Sequence, residues 1–470
     1  MTLVAGVDSS TQSVKIVVCD AETGAVLRSS RAPHPDGTEV SAAAWWVAYR
    51  SAAAQPGLLD GVEAIAVGGQ QHGMVTLDED GGLVRDAVLW NDVRSAGDAA
   101  DLVGELGGPQ AWADATGSVP LASMTVSKLR WLARTEPENA ARVASVVLPH
   151  DYLTWELGGR SFSPVTDRGD ASGTCYFDAA TGAYRDDLVR LALGRLVDLP
   201  RVAAPSEVVG HTPEGIAIAA GTGDNMAAGL GLGLEPGSAV VSLGTSGTAF
   251  TRSATPTHEA TGTVAGFADA TGEFLPLVCT LNGARNLVAT AELLGVTLDE
   301  LARLALTAPA GSGGLVFLPF LEGERTPSLP HATGQLVGLT LASMKPANLA
   351  RAAIEGVLWS LAYGVDVLRD QTGTISAITL TGGASQSEAV RRIAASVFGL
   401  PVVVTEAFES VAVGAARQAA WALTGELPTW EVPVAGRYDP TDADVAAADD
   451  LMGRYTGVLR RHFDVPTFGA

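Results

Sequence analysis

Apolar and polar positions alternate between two periods along this chain. Residues 3–8 and 13–19 are nearly continuous apolar runs, which predict two buried strands. Further strands are predicted over 25–30, 63–68, 73–78 and 143–149. Between them, apolar residues recur at helical spacing over 41–54, 95–106, 124–134 and 151–157. A strand pair over 238–250 opens the second half, followed by a helix over 284–295 and a strand over 315–319. A long helix over 346–369 begins with Pro346, whose fixed φ suits a first turn. A strand and glycine turn over 375–383, a helix over 386–398 capped by Ser385, a strand over 401–405 and a helix over 410–423 complete the pattern. Strands alternating with helices predict an α/β fold. Pro236-Gly237 marks the predicted boundary, giving domains over 1–236 and 237–470.

One device is written twice. LVAGVDSSTQSVKIVVCD (3–20) and SAVVSLGTSGTAF (238–250) are each two apolar strands around a Gly/Ser/Thr turn. Such a turn offers backbone N–H groups and hydroxyls to one small anion, usually phosphate. Taken singly, each is ordinary turn chemistry. Its repetition at the head of each half predicts two like domains that share a nucleotide.

Composition narrows the classes. Length predicts two or three domains, and an apolar fraction of 47% against 17% charged residues supplies ample core. The net charge of −22 argues against nucleic acid or an anionic membrane as partner. The three cysteines, Cys19, Cys175 and Cys279, include no CxxC pair, which fits a reducing cytoplasm. No leader-like basic segment and no bilayer-length apolar run is present, so a cytoplasmic protein is predicted. None of the three lysines follows a glycine, so a P-loop is excluded, and no GxGxxG follows the first strand.

Candidate chemistry gathers at four places. Asp8 closes the first strand beside a phosphate-type turn, where a carboxylate needs a cation such as Mg²⁺ as mediator; otherwise it is a turn-capping residue. Asp224 in GTGDN (221–225) is either a helix N-cap or a general base toward a hydroxyl. GGQQHG (68–73) and LWNDVRS (89–95) mix glycine, amides, His72 and Trp90 in a way that suits a sugar or polyol. His72 equally suits a satisfied core position, and no second histidine stands at metal-ligand spacing. LTGGASQSE (380–388) is a strand, a flat Gly-Gly turn on which adenine could lie, and a helix start.

These segments together resemble the FGGY family of carbohydrate kinases over nearly the whole chain. GQLVGLTLASMKPANLARAAIE (334–355), SMTVSKLRWLAR (123–134), FLPFLEGERTP (317–327) and LPHDYL (148–153) carry the likeness. GQQHG, LWND and GTGDN are similar to the ketopentose kinases of that family. The family has Met frequently where this chain has Gln71, and GGGDN where it has GTGDN. The resemblance implies two actin-like (ribonuclease-H-like) domains with a cleft between them, sugar bound mainly by the first and ATP by the second. It implies Asp224 as base, with Gln71, His72, Trp90 and Asn91 on the sugar. Asp8 would serve the magnesium-bound phosphates through water, and Thr11, Gln12, Ser13, Lys15 and Thr245 the transferred phosphate. Gly382, Gly383 and Ser387 would lie near adenosine, and Asp170 is expected to be structural. The activity implied is ATP-dependent phosphorylation of D-xylulose at C5, by a monomer or a homodimer. The alternatives are a kinase of another sugar or polyol (ribulose, arabitol, gluconate or glycerol) and a non-metabolic actin-like ATPase.

Overall fold

A computed structural model of the chain describes residues 1–465. It contains two compact units. The first comprises 1–234, 253–275 and 409–432; the second comprises 235–252, 276–408 and 433–470, described here to residue 465. The first crossover lies two residues from the boundary read at 236. The division is nevertheless not a single cut, because two later segments return to the first unit.

The first unit is built on a mixed sheet. Its spatial order is Val208–His211, Ala217–Ala219, Val62–Gly69, Leu3–Ser9, Ser13–Asp20 and Val26–Pro33, with Thr222–Gly223 also paired to Val62–Gly69. Leu3–Ser9 and Ser13–Asp20 are antiparallel, with Asp8 opposite Lys15. Leu3–Ser9 runs parallel to Val62–Gly69, which puts Asp8 beside Gly68. Two neighbouring strands thus end at one edge, and so do Thr222 and Gly223, which pair with Gly68 and Gly69. Ligand groups gather at such strand ends. The core beneath includes Val7, Ile16, Trp45, Ile65, Val67 and Tyr152.

The helix Ser410–Thr424 follows the last predicted strand in sequence but packs in the first unit. Its buried residues include Ala412, Gly414, Ala415, Ala416, Gln418 and Ala419. A Cβ on Gly414 would collide with the Ala227 carbonyl, so the helix Asp224–Gly231 lies backbone to backbone against it. Small side chains decide this docking, and strand-helix alternation carries no sign of it.

The second unit's sheet runs Phe274–Thr280, Gly247–Thr251, Ser238–Leu243, Ala377–Thr381, Val402–Thr405 and Val434–Tyr438. The second hairpin is antiparallel, with Leu243 opposite Gly247, and Ser238–Leu243 is parallel to Ala377–Thr381. The long helix spans Pro346–Thr372 with proline in its first turn. Ser385 is not the cap expected of it. It sits in a short 3₁₀ turn, Gly383–Gln386, donating to the Gly382 carbonyl over 2.7 Å, and Ser387 occupies the N-cap position. Among the described residues no helix is long and apolar enough to cross a membrane.

Candidate active site

The first turn is braced before any ligand arrives. Asp8 is buried, and its Oδ1 accepts from the Ser10 amide at 3.0 Å and from the Ser10 hydroxyl. Lys15 Nζ stands 3.3 Å from Asp8 Oδ2 and 2.6 Å from Glu409 Oε2. Burial raises the Asp8 pKa, while Lys15 and Ser10 oppose the shift. Thr11 Oγ1 accepts from the Trp90 indole at 2.9 Å, which leaves its own hydroxyl proton to donate. Ser13 is buried at the start of its strand, and Gln12 is exposed at the turn's tip.

The turn after Val62–Gly69 carries the sugar candidates. Gln71 is buried; its Oε1 accepts from Asn225 Nδ2 at 2.9 Å, and its Nε2 has no protein acceptor. Gln70, also buried, has neither amide atom partnered. Two such amides are rare without a ligand or water to meet them. His72 adopts a left-handed backbone, φ 66°. Its carbonyl accepts from Lys128 Nζ at 2.8 Å and Thr125 Oγ1 at 3.2 Å, and its Nδ1 donates to the Gly173 carbonyl at 2.7 Å. Trp90 is half-buried, and Asn91 is exposed.

Asp224 is the first residue of the helix Asp224–Gly231; Gly223, not Asp224, holds the N-cap position. Its Oδ1 accepts from the Asn225 backbone N–H at 2.9 Å and side-chain amide at 3.1 Å. Burial, then the nearby negative charges of Asp8 and Asp170, push its pKa up to about 8. A carboxyl so raised titrates close to neutral pH, and its deprotonated form is a stronger base than an ordinary carboxylate.

Beneath these turns lies a buried cluster. His150 Nδ1 is 2.6 Å from Asp170 Oδ2 and 3.3 Å from Asp151 Oδ1. Burial pulls the His150 pKa down, but Asp151, Asp170 and Asp167 outweigh it and raise it. One ligand atom from each of His150, Asp151 and Asp170 falls within 4.8 Å of the others. A 2.6 Å N–O separation is nonetheless a charged hydrogen bond, tighter than two ligands of one metal ion stand, so the cluster holds a proton.

In the second unit, Thr245 is exposed in the turn 244–246, where Gly244 N–H donates to Ser246 O at 3.0 Å. Gly283 and Ala284, at the start of the next helix, donate to the Thr245 and Gly244 carbonyls at 3.1 and 2.8 Å. Gly382 lies against Leu243, one residue before this turn, and takes φ 91°. The position a Cβ would take on Gly383 meets nothing within 4 Å, so this peptide presents an open face.

Residues 3–231 match the N-terminal domain of the FGGY family of carbohydrate kinases, and residues 239–423 match its C-terminal domain. The chain belongs to the FGGY family. It is 46% identical to the xylulose kinase of Streptomyces coelicolor, over 97% of this chain and 96% of that one. It is 43% identical to the xylulose kinase of Streptomyces rubiginosus, over 96% and 95%. The crystal structure of xylulose kinase from Bifidobacterium adolescentis superposes with a TM-score of 0.90 at 43% identity, covering 97% of this chain and 99% of that one. This FGGY protein therefore has the two-domain actin-like fold and is an ATP-dependent sugar kinase. Sequence reading alone did not single out Asn225, Lys128, Gln70 or His150. Lys128 lies within the segment 123–134 that carries the family likeness, and Asn225 follows Asp224 directly.

Proposed function

We propose that this FGGY kinase transfers the γ-phosphoryl group of ATP to the C5 hydroxyl of D-xylulose, releasing ADP. The observation that carries the reading is the array Gln71–Asn225–Asp224, which sets a sugar-type amide beside a carboxylate of raised pKa. The relatives named xylulose kinase, at 46% and 43% identity, support the substrate.

Gln71 and His72 hold the ketose, with Trp90 and Asn91 beside it. Asp224 Oδ2 takes the hydroxyl proton as the oxygen attacks phosphorus. Gln12 and the hydroxyls of Thr11 and Ser13 donate to the transferred phosphate, and Lys15 balances its charge. In the second unit Thr245 serves the phosphates, and Gly382, Gly383 and Ser387 serve the adenosine. Phosphoryl transfer asks for positioning and charge neutralisation more than for covalent chemistry. Mg²⁺ entering with ATP fits Asp8, a buried carboxylate whose cationic partner Lys15 is shared with Glu409. When bound, it neutralises phosphate charge. Three free cysteines, two of them buried, support a reducing, cytoplasmic setting.

ADP release measured over D-xylulose, D-ribulose, arabitol, gluconate and glycerol tests the reading. D-xylulose should give the highest kcat/KM by about tenfold or more, as one lost polar contact produces. A higher value for another acceptor overturns the substrate.

A further inference from the structure

We infer that the five-residue helix Arg168–Ser172 is a bracket that holds the sugar turn and the base turn in register, with Asp170 as its positioning residue. This rests on the reading of Gln71, His72 and Asp224 above. Asp167 caps the helix, accepting from the Gly169 and Asp170 amides at 2.8 Å each. The same carboxylate accepts from Thr222 Oγ1 at 2.7 Å, two residues before Asp224. At the other end the Gly173 carbonyl accepts from His72 Nδ1 at 2.7 Å. One rigid turn of helix therefore grips both functional segments.

Asp170, between those grips, fixes a third contact. Its carboxylate holds His150, and both side chains are wholly buried. The His150 residue fills the space between two glycines. A Cβ on Gly69 would stand 2.7 Å from His150 Cβ, and one on Gly221 would stand 2.8 Å from His150 Cδ2. Gly69 leads into Gln71 and His72, and Gly221 opens the GTGDN turn. His150 is thus a wedge: its backbone and Cβ meet the Gly69 turn, its imidazole meets the Gly221 turn, and Asp170 holds the imidazole. The charged groups facing the wedge are Asp170 on the bracket helix, Asp151 on the helix Pro149–Leu157 and Asp167 on the strand Val165–Asp167. Asp224 feels the Asp170 charge together with that of Asp8. Arg168 points elsewhere, to the Ala179 and Glu273 carbonyls.

Asp170→Asn removes the charge at constant volume, and Thr222→Val cuts the bracket from the base turn without touching charge. For Asp170→Asn, kcat with D-xylulose should fall about 10–100-fold, as small misplacements of reacting groups do. The KM for ATP should stay within about twofold. The acid limb of its kcat/KM profile should move to lower pH, because one negative neighbour of Asp224 is gone. Amide exchange should quicken in both 69–73 and 221–226. A purely structural role would lower Tm and leave the limb in place. A folded Asp170→Asn with an unmoved limb and unchanged exchange in both turns overturns the bracket. Should that variant fail to fold, Thr222→Val decides: a similar loss of kcat with an unmoved limb supports the bracket, and kcat within about twofold of the parent overturns it. A parent protein inert toward D-xylulose would overturn the substrate reading alone, since the exchange arms still decide the bracket.

Discussion

Asn225 gives one side-chain nitrogen to two acceptors, Gln71 Oε1 at 2.9 Å and Asp224 Oδ1 at 3.1 Å. The two hydrogens of a single amide suffice for both bonds. Gln71 is thereby turned so that its own Nε2 must look elsewhere for an acceptor, which the proposed function assigns to a ketose oxygen. Both Asn225 bonds fall on Asp224 Oδ1, and the proposed function assigns Oδ2 to the incoming hydroxyl. Asn225→Ala should therefore lower kcat/KM for the sugar by about 5–150-fold, the range that corresponds to ~1–3 kcal/mol for a buried hydrogen-bonding group left unpaired. Steady-state kinetics in both substrates checks this. An equal loss against ATP would mean that Asn225 merely supports the fold.

The Trp90 indole donates to Thr11 Oγ1 at 2.9 Å, joining the sugar-type segment LWND to the phosphate-type turn. Trp90→Phe keeps an aromatic face and deletes that bond. The turn loses a restraint of about 0.5–1.5 kcal/mol, and kcat should fall about 2–12-fold with a smaller change in the KM for sugar. A variant whose KM alone rises would show Trp90 to be a sugar platform with no hold on the turn.

Much of this architecture can be read in the sequence, for a physical reason. Leu3–Ser9, Ser13–Asp20 and Val62–Gly69 are near-continuous apolar runs, and such runs admit few structures. The long helix begins at Pro346 as proline chemistry requires. Short elements were not legible. The helix Arg168–Ser172 has five residues and no apolar period, and the bond from Thr222 Oγ1 to its capping residue Asp167 spans 55 positions. The docking of Ser410–Thr424 in the first unit depends on Gly414 meeting Ala227, a contact between small residues that periodicity does not encode. At the site, Asp8, Gln71, His72 and Asp224 stand out by residue type. Asn225, Lys128 and His150 act through what they touch, and contact is what a single sequence does not display.

Lys128 is wholly buried, with its ammonium on the carbonyls of His72 and Ser123. Burial pulls its pKa down to about 7, against the pull of Asp92. The His72 backbone is left-handed, uncommon for a residue other than glycine, and Lys128 and Thr125 hold its carbonyl. Lys128→Met removes one donor from each carbonyl and leaves His72 with Thr125 alone. The KM for sugar should rise about tenfold or more while kcat changes less, as follows when a binding group is displaced and the base is not. Calorimetric titration with sugar and with an ATP analogue separates this from general loosening, which would weaken both.

Asp224 sets activity and stability against each other. Its folded pKa is raised from the ordinary carboxylate range to about 8, by burial first and then by Asp8 and Asp170. As a base it must be deprotonated, so kcat/KM should rise with pH up to about pH 8. Asp224→Asn should cost about 10²–10⁴-fold in kcat, the usual loss for a general base. Stability runs the other way. Between the unfolded and folded pKa values the native protein binds the extra proton, so unfolding free energy falls as pH rises across that window and levels off above it. Asparagine carries no such slope. The Asp224→Asn protein should match the parent in Tm near pH 4 and exceed it near pH 8.5, by about 2–4 °C for every ~1 kcal/mol that the raised pKa costs the ionised parent. All other groups are shared by the two proteins, so their titrations cancel in the difference. Thermal unfolding followed at both pH values gives the answer directly. A Tm difference that is the same at pH 4 and pH 8.5 would mean that Asp224 is ionised throughout and that its surroundings do not raise its pKa. A variant that keeps full turnover would remove Asp224 from the chemistry altogether.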